Sequence, residues 1–512
     1  MTDASRQIKI GAIISYVSIA INIVVGLLYT PWMISQIGEA DYGLYTLANS
    51  LITLFLIDFG LSAAVSRYLS TYKAEGKIEE ANRFLGAVYK LYLIIDAIIF
   101  VILFILFFLL DSLYNNLGTA GLERFKVVYV IAGLFSVINF PCITFNGILT
   151  AHEKFIPLKL SDLIYRLGVV IATIIVLLCG QGLYGLVAVQ SGVGLLVVAF
   201  KWIIIKKSTP TKVDFKGHNK GIFKEIFSFS LWVTISSLAQ RLVFNIMPSL
   251  LVMLKRPETV PLFGIITTIE GYAYTITTAI NGMFMPSVAR YYTEEESQNK
   301  IMTLMNKVGR FQFGLNSLIF VGFIFAGWEF LSLWLTEGLL LQIKDAYLGI
   351  LLVLLPGVFY NSMQIAHTAL IVKKEVKYSA FINVGMGVIN VILSIPLILL
   401  WGVCGACVSI FISYSFRICA LSIVYNKKLA INIKQFLVEC CFRQGVPTIL
   451  TIILMCFFRL IMITVDTIIL FATSVVVCII LYVALTYLLG LSKDEKIKIN
   501  KKIFGRLKKT IK

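Results

Sequence analysis

Eight ionisable side chains interrupt the apolar stretches of this sequence: Asp58, Lys90, Asp96, Arg166, Arg241, Glu270, Arg417 and Arg459. A charge at the centre of a bilayer costs on the order of 3 kcal/mol or more, so such groups face a partner or a watery cavity rather than lipid. Arg241 sits about halfway along the apolar stretch 227–253, in LAQRLVFN, with Gln240 and Asn245 for polar company. It is too deep to reach the interface easily and is therefore the first candidate for a cavity-facing cation. Glu270, in TTIEGYAY on the next stretch, is a candidate counter-ion or proton site, and both roles hold if substrate competes with it for Arg241.

The others have two readings each. Arg166 lies one turn after Asp162, so it either pairs along the helix or faces the cavity. Arg417 either reaches the inner interface or lines the site, and Arg459 lines at most an accessory groove. Lys90 snorkels. Asp96 contacts a neighbouring helix. Asp58, in IDFGLS, lies above Arg67 and forms with it a candidate gate, echoed by Arg290 at the corresponding place later in the chain.

The stretches that must position these groups account for most of the chain. Of 512 residues, 59% are hydrophobic and only 14% charged, with mean hydropathy +0.90. A soluble protein carries about 25% charged residues, so most of this surface faces lipid. Apolar windows long enough to cross a bilayer fall near 10–31, 42–64, 84–110, 127–149, 158–179, 184–205, 227–253, 261–288, 311–335, 346–372, 379–400, 403–425, 446–465 and 468–490. The first is a retained span rather than a cleaved leader, being too long for a signal core and lacking a small-residue cleavage site.

The net charge of +18 would suggest nucleic acid in a soluble protein. Here its distribution assigns it to topology. Of the 45 Lys and Arg, 35 fall on one side of the fourteen spans, five on the other and five inside. Both termini are therefore expected in the cytoplasm. The nine cysteines lie mostly in apolar segments and suggest no disulfide framework or metal site. No Walker A, HExxH or GxSxG motif is present, and the loops are too short for a glycosyltransferase centre, so the expectation is a transporter and not an enzyme.

The chain also echoes itself. Ala64-Val65-Ser66-Arg67-Tyr68 resembles Ser287-Val288-Ala289-Arg290-Tyr291, Gly182-Leu183-Tyr184-Gly185 resembles Gly402-Val403-Cys404-Gly405, and Glu153 in AHEKF corresponds to Glu375 in KKEVK. The offsets agree within a few residues, which predicts two parallel six-helix repeats. The expected organisation is an N-terminal lobe over 1–205, a linker over 206–225, a second lobe over 226–425, an added helix pair over 426–490 and a basic cytoplasmic tail over 491–512.

GEADYGLYTLANSL opening span 2, IDFGLSAAVSRYLS at its end, FNGILTAHEKF after span 4 and GLYGLVAV into span 6 resemble the polysaccharide-exporter (Wzx-like) flippases of the multidrug/oligosaccharidyl-lipid/polysaccharide exporter superfamily. The resemblance implies an all-α, V-shaped integral membrane protein of the bacterial inner membrane, with two six-helix lobes around a cationic cavity. It implies translocation of undecaprenyl-diphosphate-linked oligosaccharide to the outer leaflet, alongside the polysaccharide polymerase and chain-length machinery. Arg241, Arg166 and Arg417 then fit the cavity cations, a forked guanidinium suiting a diphosphate. Tyr272, Tyr274 and Tyr360 could stack on sugars. No cofactor is expected beyond proton or sodium coupling, for which Glu270 and Asp58 are candidates. A lipid II flippase and a drug-cation exporter of the same superfamily are the alternatives, the latter disfavoured because deep basic groups outnumber acidic ones.

Overall fold

In the computed structural model, residues 3–55, 61–215, 220–255, 257–278, 284–292, 297–373, 375–462, 467–491 and 496–497 are described. All regular structure among them is helical. In hydrocarbon each backbone N–H and C=O must be satisfied inside its own segment, and a helix does this without an exposed edge. Eleven described helices are long and apolar enough to span a bilayer, and a bent pair makes a twelfth. The other two expected spans, near 42–64 and 261–288, each contain residues outside the described ones, flanked by the helices Glu39–Phe55 and Leu61–Ala74 and by Val260–Thr278 and Met285–Tyr291. Large apolar side chains such as Leu28, Leu178, Leu196 and Ile461 are at least 70% exposed, as lipid-facing residues must be.

The chain divides into two compact units. One comprises Met1–Thr267 with Val376–Ser413, the other Thr268–Glu375 with Tyr414–Lys512. In the first, Phe155–Leu178 packs against Gly182–Ser208 and against the N-terminal helix Asp3–Ile37, and Val376–Trp401 packs along Lys220–Asn245. Buried carboxamides join the last two: Asn383 Nδ2 donates to Ser236 Oγ at 2.7 Å, and Asn390 Nδ2 to the Val243 carbonyl at 3.1 Å. At the far end of the unit from the N-terminus, Tyr114 Oη donates to Ser249 Oγ at 2.9 Å and Arg124 pairs with Asp41.

In the second unit the 38-residue helix Ser297–Trp334 is the central member, packed against Ile343–Ser362, Arg443–Ile461 and Thr467–Leu485. Val321, Phe325, Met455 and Cys478 form the core of that packing. Arg459 Nη2 meets Glu329 Oε1 at 2.5 Å. Glu329, overlooked among the intramembrane charges of the sequence, thus assigns Arg459 to a helix–helix ion pair.

Two prolines perturb the helices of the first unit. Pro248 removes an N–H from the ladder, and Thr234–Asn245 meets Met247–Leu254 at a 42° bend just after Asn245. Pro141 lies in a 3₁₀ turn, Phe140–Ile143, between Gly118–Asn139 and Thr144–Ala151. After Ser208 the chain leaves its helix and crosses Ile78–Leu113 as a strap. Lys212 N donates to Asn82 Oδ1 at 2.7 Å, and Asp214 N to the Asn82 carbonyl at 3.1 Å. The strap passes so close that a Cβ on Gly86 would lie 1.8 Å from the Asp214 carbonyl oxygen.

The glycine echo has a backbone counterpart. Gly182 and Gly402 both adopt φ +58°, a left-handed turn that costs other L-residues about 1–2 kcal/mol. Three residues on, a Cβ at Gly405 would sit 1.9 Å from the Leu397 carbonyl oxygen. We expect Gly405→Ala to lose most of the monodisperse protein recovered in detergent, because a backbone atom cannot yield. Gly445→Ala, where nothing lies within 4 Å, is expected to match wild type in the same size-exclusion measurement.

Candidate functional site

In the first unit the helices Glu39–Phe55, Gly118–Asn139, Phe155–Leu178 and Gly182–Ser208 line a partly open cavity of about 350 Å³. Asn139, Cys142 and Asn146 line it before, within and after the 3₁₀ turn at Pro141. Lys201 Nζ lies 3.2 Å from Asp162 Oδ1 and 3.0 Å from Asn146 Oδ1, with its side chain only 13% exposed. Gln190 Nε2 donates to Tyr45 Oη at 2.9 Å across the cavity wall.

Arg241 adjoins this cavity through Thr53. Its Nη1 donates to the Thr53 carbonyl, and Thr53 is a wall residue. The guanidinium is half-buried, and no carboxylate of its own unit pairs with it among the described residues. One backbone acceptor uses one of five N–H donors, so most of the fork remains available. Gln240 lies beside it on the same helix, its Nε2 3.4 Å from Ser236 Oγ, and Asn245 is half-buried at the bend.

Arg417 belongs to the second unit and has very different surroundings. It is 1% exposed, with its guanidinium carbon 4.1 Å from the Tyr360 ring centre and 5.9 Å from that of Tyr414. Nη2 donates to Tyr360 Oη at 3.1 Å, whereas Nε and Nη1 are fully buried without a hydrogen-bond partner. Tyr360 and Tyr414 meet edge to face at 6.0 Å. This is a cation held by aromatic faces and not a residue reaching for the interface. Glu270 also lies in the second unit, half-buried, on Val260–Thr278.

The remaining sequence candidates separate. Arg166 does not pair with Asp162, whose partners are Lys201 and Lys159, and Arg166 Nη1 is buried without a hydrogen bond. The pairing along the helix fails because Lys201 approaches from the adjacent helix. Arg290 is exposed. Asp58 lies outside the described residues, as does the side chain of Arg67. Lys201 was read from the sequence as one of the inner-side charges. The signal for its deeper role was that Asn146, Asp162 and Lys201 occur at similar depth near the inner ends of three successive spans.

The family model for polysaccharide biosynthesis proteins matches residues 8–292, more than half of the chain. The chain belongs to that family. No curated protein matches it in sequence. Among solved structures, the lipid II flippase MurJ in its inward closed conformation is similar at 16% identity and TM-score 0.66, covering 93% of this chain and 98% of MurJ. An inward-facing multidrug resistance MATE family transporter of the MOP superfamily is similar at 14% identity and TM-score 0.69, covering 82% of this chain and 98% of that one. MATE in complex with MaL6 is similar at 14% identity and TM-score 0.63, over 84% of this chain and 99% of the other. At such identities the shared property is the fold, the all-α architecture that the sequence motifs implied.

Proposed function

We propose that this polysaccharide-biosynthesis family member flips undecaprenyl-diphosphate-linked oligosaccharide from the inner to the outer leaflet of the bacterial cytoplasmic membrane. The observation that carries the reading is Arg241: a guanidinium halfway along a span, beside a cavity with polar groups in its wall, held by one backbone carbonyl. A diphosphate has the geometry to take the remaining donors as a bidentate, charge-assisted contact. The prenyl chain stays in lipid while the head group passes, and rocking of the two repeats supplies alternating access. Both termini are cytoplasmic on the 35-to-5 charge distribution. The polymerase and chain-length machinery are the natural recipients of the product.

The likeness to MurJ over 93% of the chain favours lipid II as the second reading, since it too presents a diphosphate. A drug-cation exporter fits less well, because a cation gains nothing from Arg241. Proteoliposomes separate the three. We expect flipping of undecaprenyl-diphosphate oligosaccharides of defined composition at rates at least tenfold above those for lipid II, and no uptake of a fluorescent organic cation. Faster flipping of lipid II would replace the first reading by the second. Proton and sodium gradients imposed on the same vesicles test Glu270 as a coupling group, and a rate independent of both gradients removes it from that role.

A further inference from the structure

We infer that the cavity of the first unit is a saccharide subsite that holds one neutral sugar ring of the head group. The inference rests on the flippase reading and adds to it a location for the sugar, apart from the diphosphate contact at Arg241.

Three features of the wall select this ligand. The first is unspent hydrogen-bonding capacity. The carboxamides of Asn49 and Asn139 line the cavity, and neither bonds to any described protein group. Each offers donors and an acceptor side by side, the complement of a hydroxyl, which is both donor and acceptor. Asn49 is exposed and Asn139 half-buried, so both carboxamides are open to a ligand, unlike the fully buried Asn383 and Asn390, which bond to a neighbouring helix.

The second feature is charge. The two ionised groups of the wall, Asp162 and Lys201, lie 3.2 Å apart, and Lys159 stands 3.8 Å from the same carboxylate. With its one wall carboxylate already bracketed by two lysines, the cavity does not reward an organic cation. The pair still presents carboxylate oxygen and ammonium protons to hydroxyls, and charged partners make the stronger hydrogen bonds.

The third is shape. The rings of Phe135 and Tyr165 contribute apolar wall beside the polar groups. A pyranose has the same duality, hydroxyls around its edge and C–H groups on its faces. At about 350 Å³ the cavity lies at the small end of ligand pockets. A single sugar ring, with about a dozen non-hydrogen atoms, suits that end of the range better than a whole oligosaccharide.

The test uses the full chain in nanodiscs and in proteoliposomes. Saturation-transfer NMR with free glucose, galactose, N-acetylglucosamine and N-acetylgalactosamine is expected to show binding of at least one of them. Affinity for that sugar should fall at least tenfold in Asn49→Ala and in Asn139→Ser, two small changes chosen to spare the fold. In flipping assays the ratio of glycosylated lipid to bare undecaprenyl diphosphate should fall by a similar factor in both variants. Leu134→Ala, at a lipid-facing position of the same helix as Asn139, should leave the ratio at the wild-type value. Binding of no sugar, or variants that bind and discriminate like wild type, would overturn the subsite. A wild-type protein that binds a sugar but flips no glycosylated lipid would overturn the flippase reading and leave the saccharide site standing.

Discussion

Replacing Arg241 by alanine is expected to lower flipping of undecaprenyl-diphosphate oligosaccharide on the order of a hundredfold, with normal insertion into the membrane. The guanidinium spends one donor on the Thr53 carbonyl, and on the proposed reading the rest serve the substrate. Loss of a charge-assisted, bidentate contact to phosphate removes about 3 kcal/mol, which corresponds to that factor in rate or affinity. Arg241→Lys keeps the charge and loses the fork, so an intermediate loss of about tenfold is expected. Fluorescence-quenching assays of labelled lipid in proteoliposomes read both. Since the residue is half-buried and carries no ion pair within its own unit, the alanine variant should keep a thermal transition close to that of wild type. Unchanged flipping in both variants would remove Arg241 from the mechanism.

Arg417 leads to the opposite combination of stability and activity. Among the described residues its buried Nε and Nη1 have no hydrogen-bond partners, and aromatic faces and one phenol compensate its charge. A contact of a desolvated cation with an aromatic face is worth about 2 kcal/mol, less than the several kcal/mol needed to take an ion out of water. Arg417→Met fills similar volume without the desolvation cost. We expect the thermal transition of the purified protein to stay unchanged or rise, while flipping falls at least tenfold. A costly cation kept in a core points to work done elsewhere in the cycle, when its two free nitrogens find acceptors. A variant that melts markedly lower and flips normally would make Arg417 a structural residue and sink the proposal.

These two residues show how far the chain could be read before its fold was known. Arg241 was visible because depth is a one-dimensional property: counting residues from either end of an apolar stretch places it mid-span, and the cost of charge in hydrocarbon does the rest. Arg417 had two readings from the sequence, a group reaching the inner interface or a lining residue of the site. Its aromatic box depends on Tyr360, 57 positions away, and a contact of that separation leaves no periodic trace. The same holds for Arg459, which meets Glu329 across 130 positions, and for Asp162, whose nearby Arg166 lost to Lys201 on another helix.

Composition, span length and the one-sided placement of Lys and Arg are sums over segments, so the amino-acid sequence by itself settled that this is a multi-pass helical membrane protein. The paired glycines at 182 and 402 were equally legible, because a positive φ restricts the residue type at a single position. What the tertiary structure alone decided is which polar groups share a space. The cavity with Asn49, Asn139, Asp162 and Lys201 draws on separate helices. Helices in a bilayer choose their neighbours by side-chain packing and hydrogen bonds across segments, interactions that no single stretch of sequence encodes.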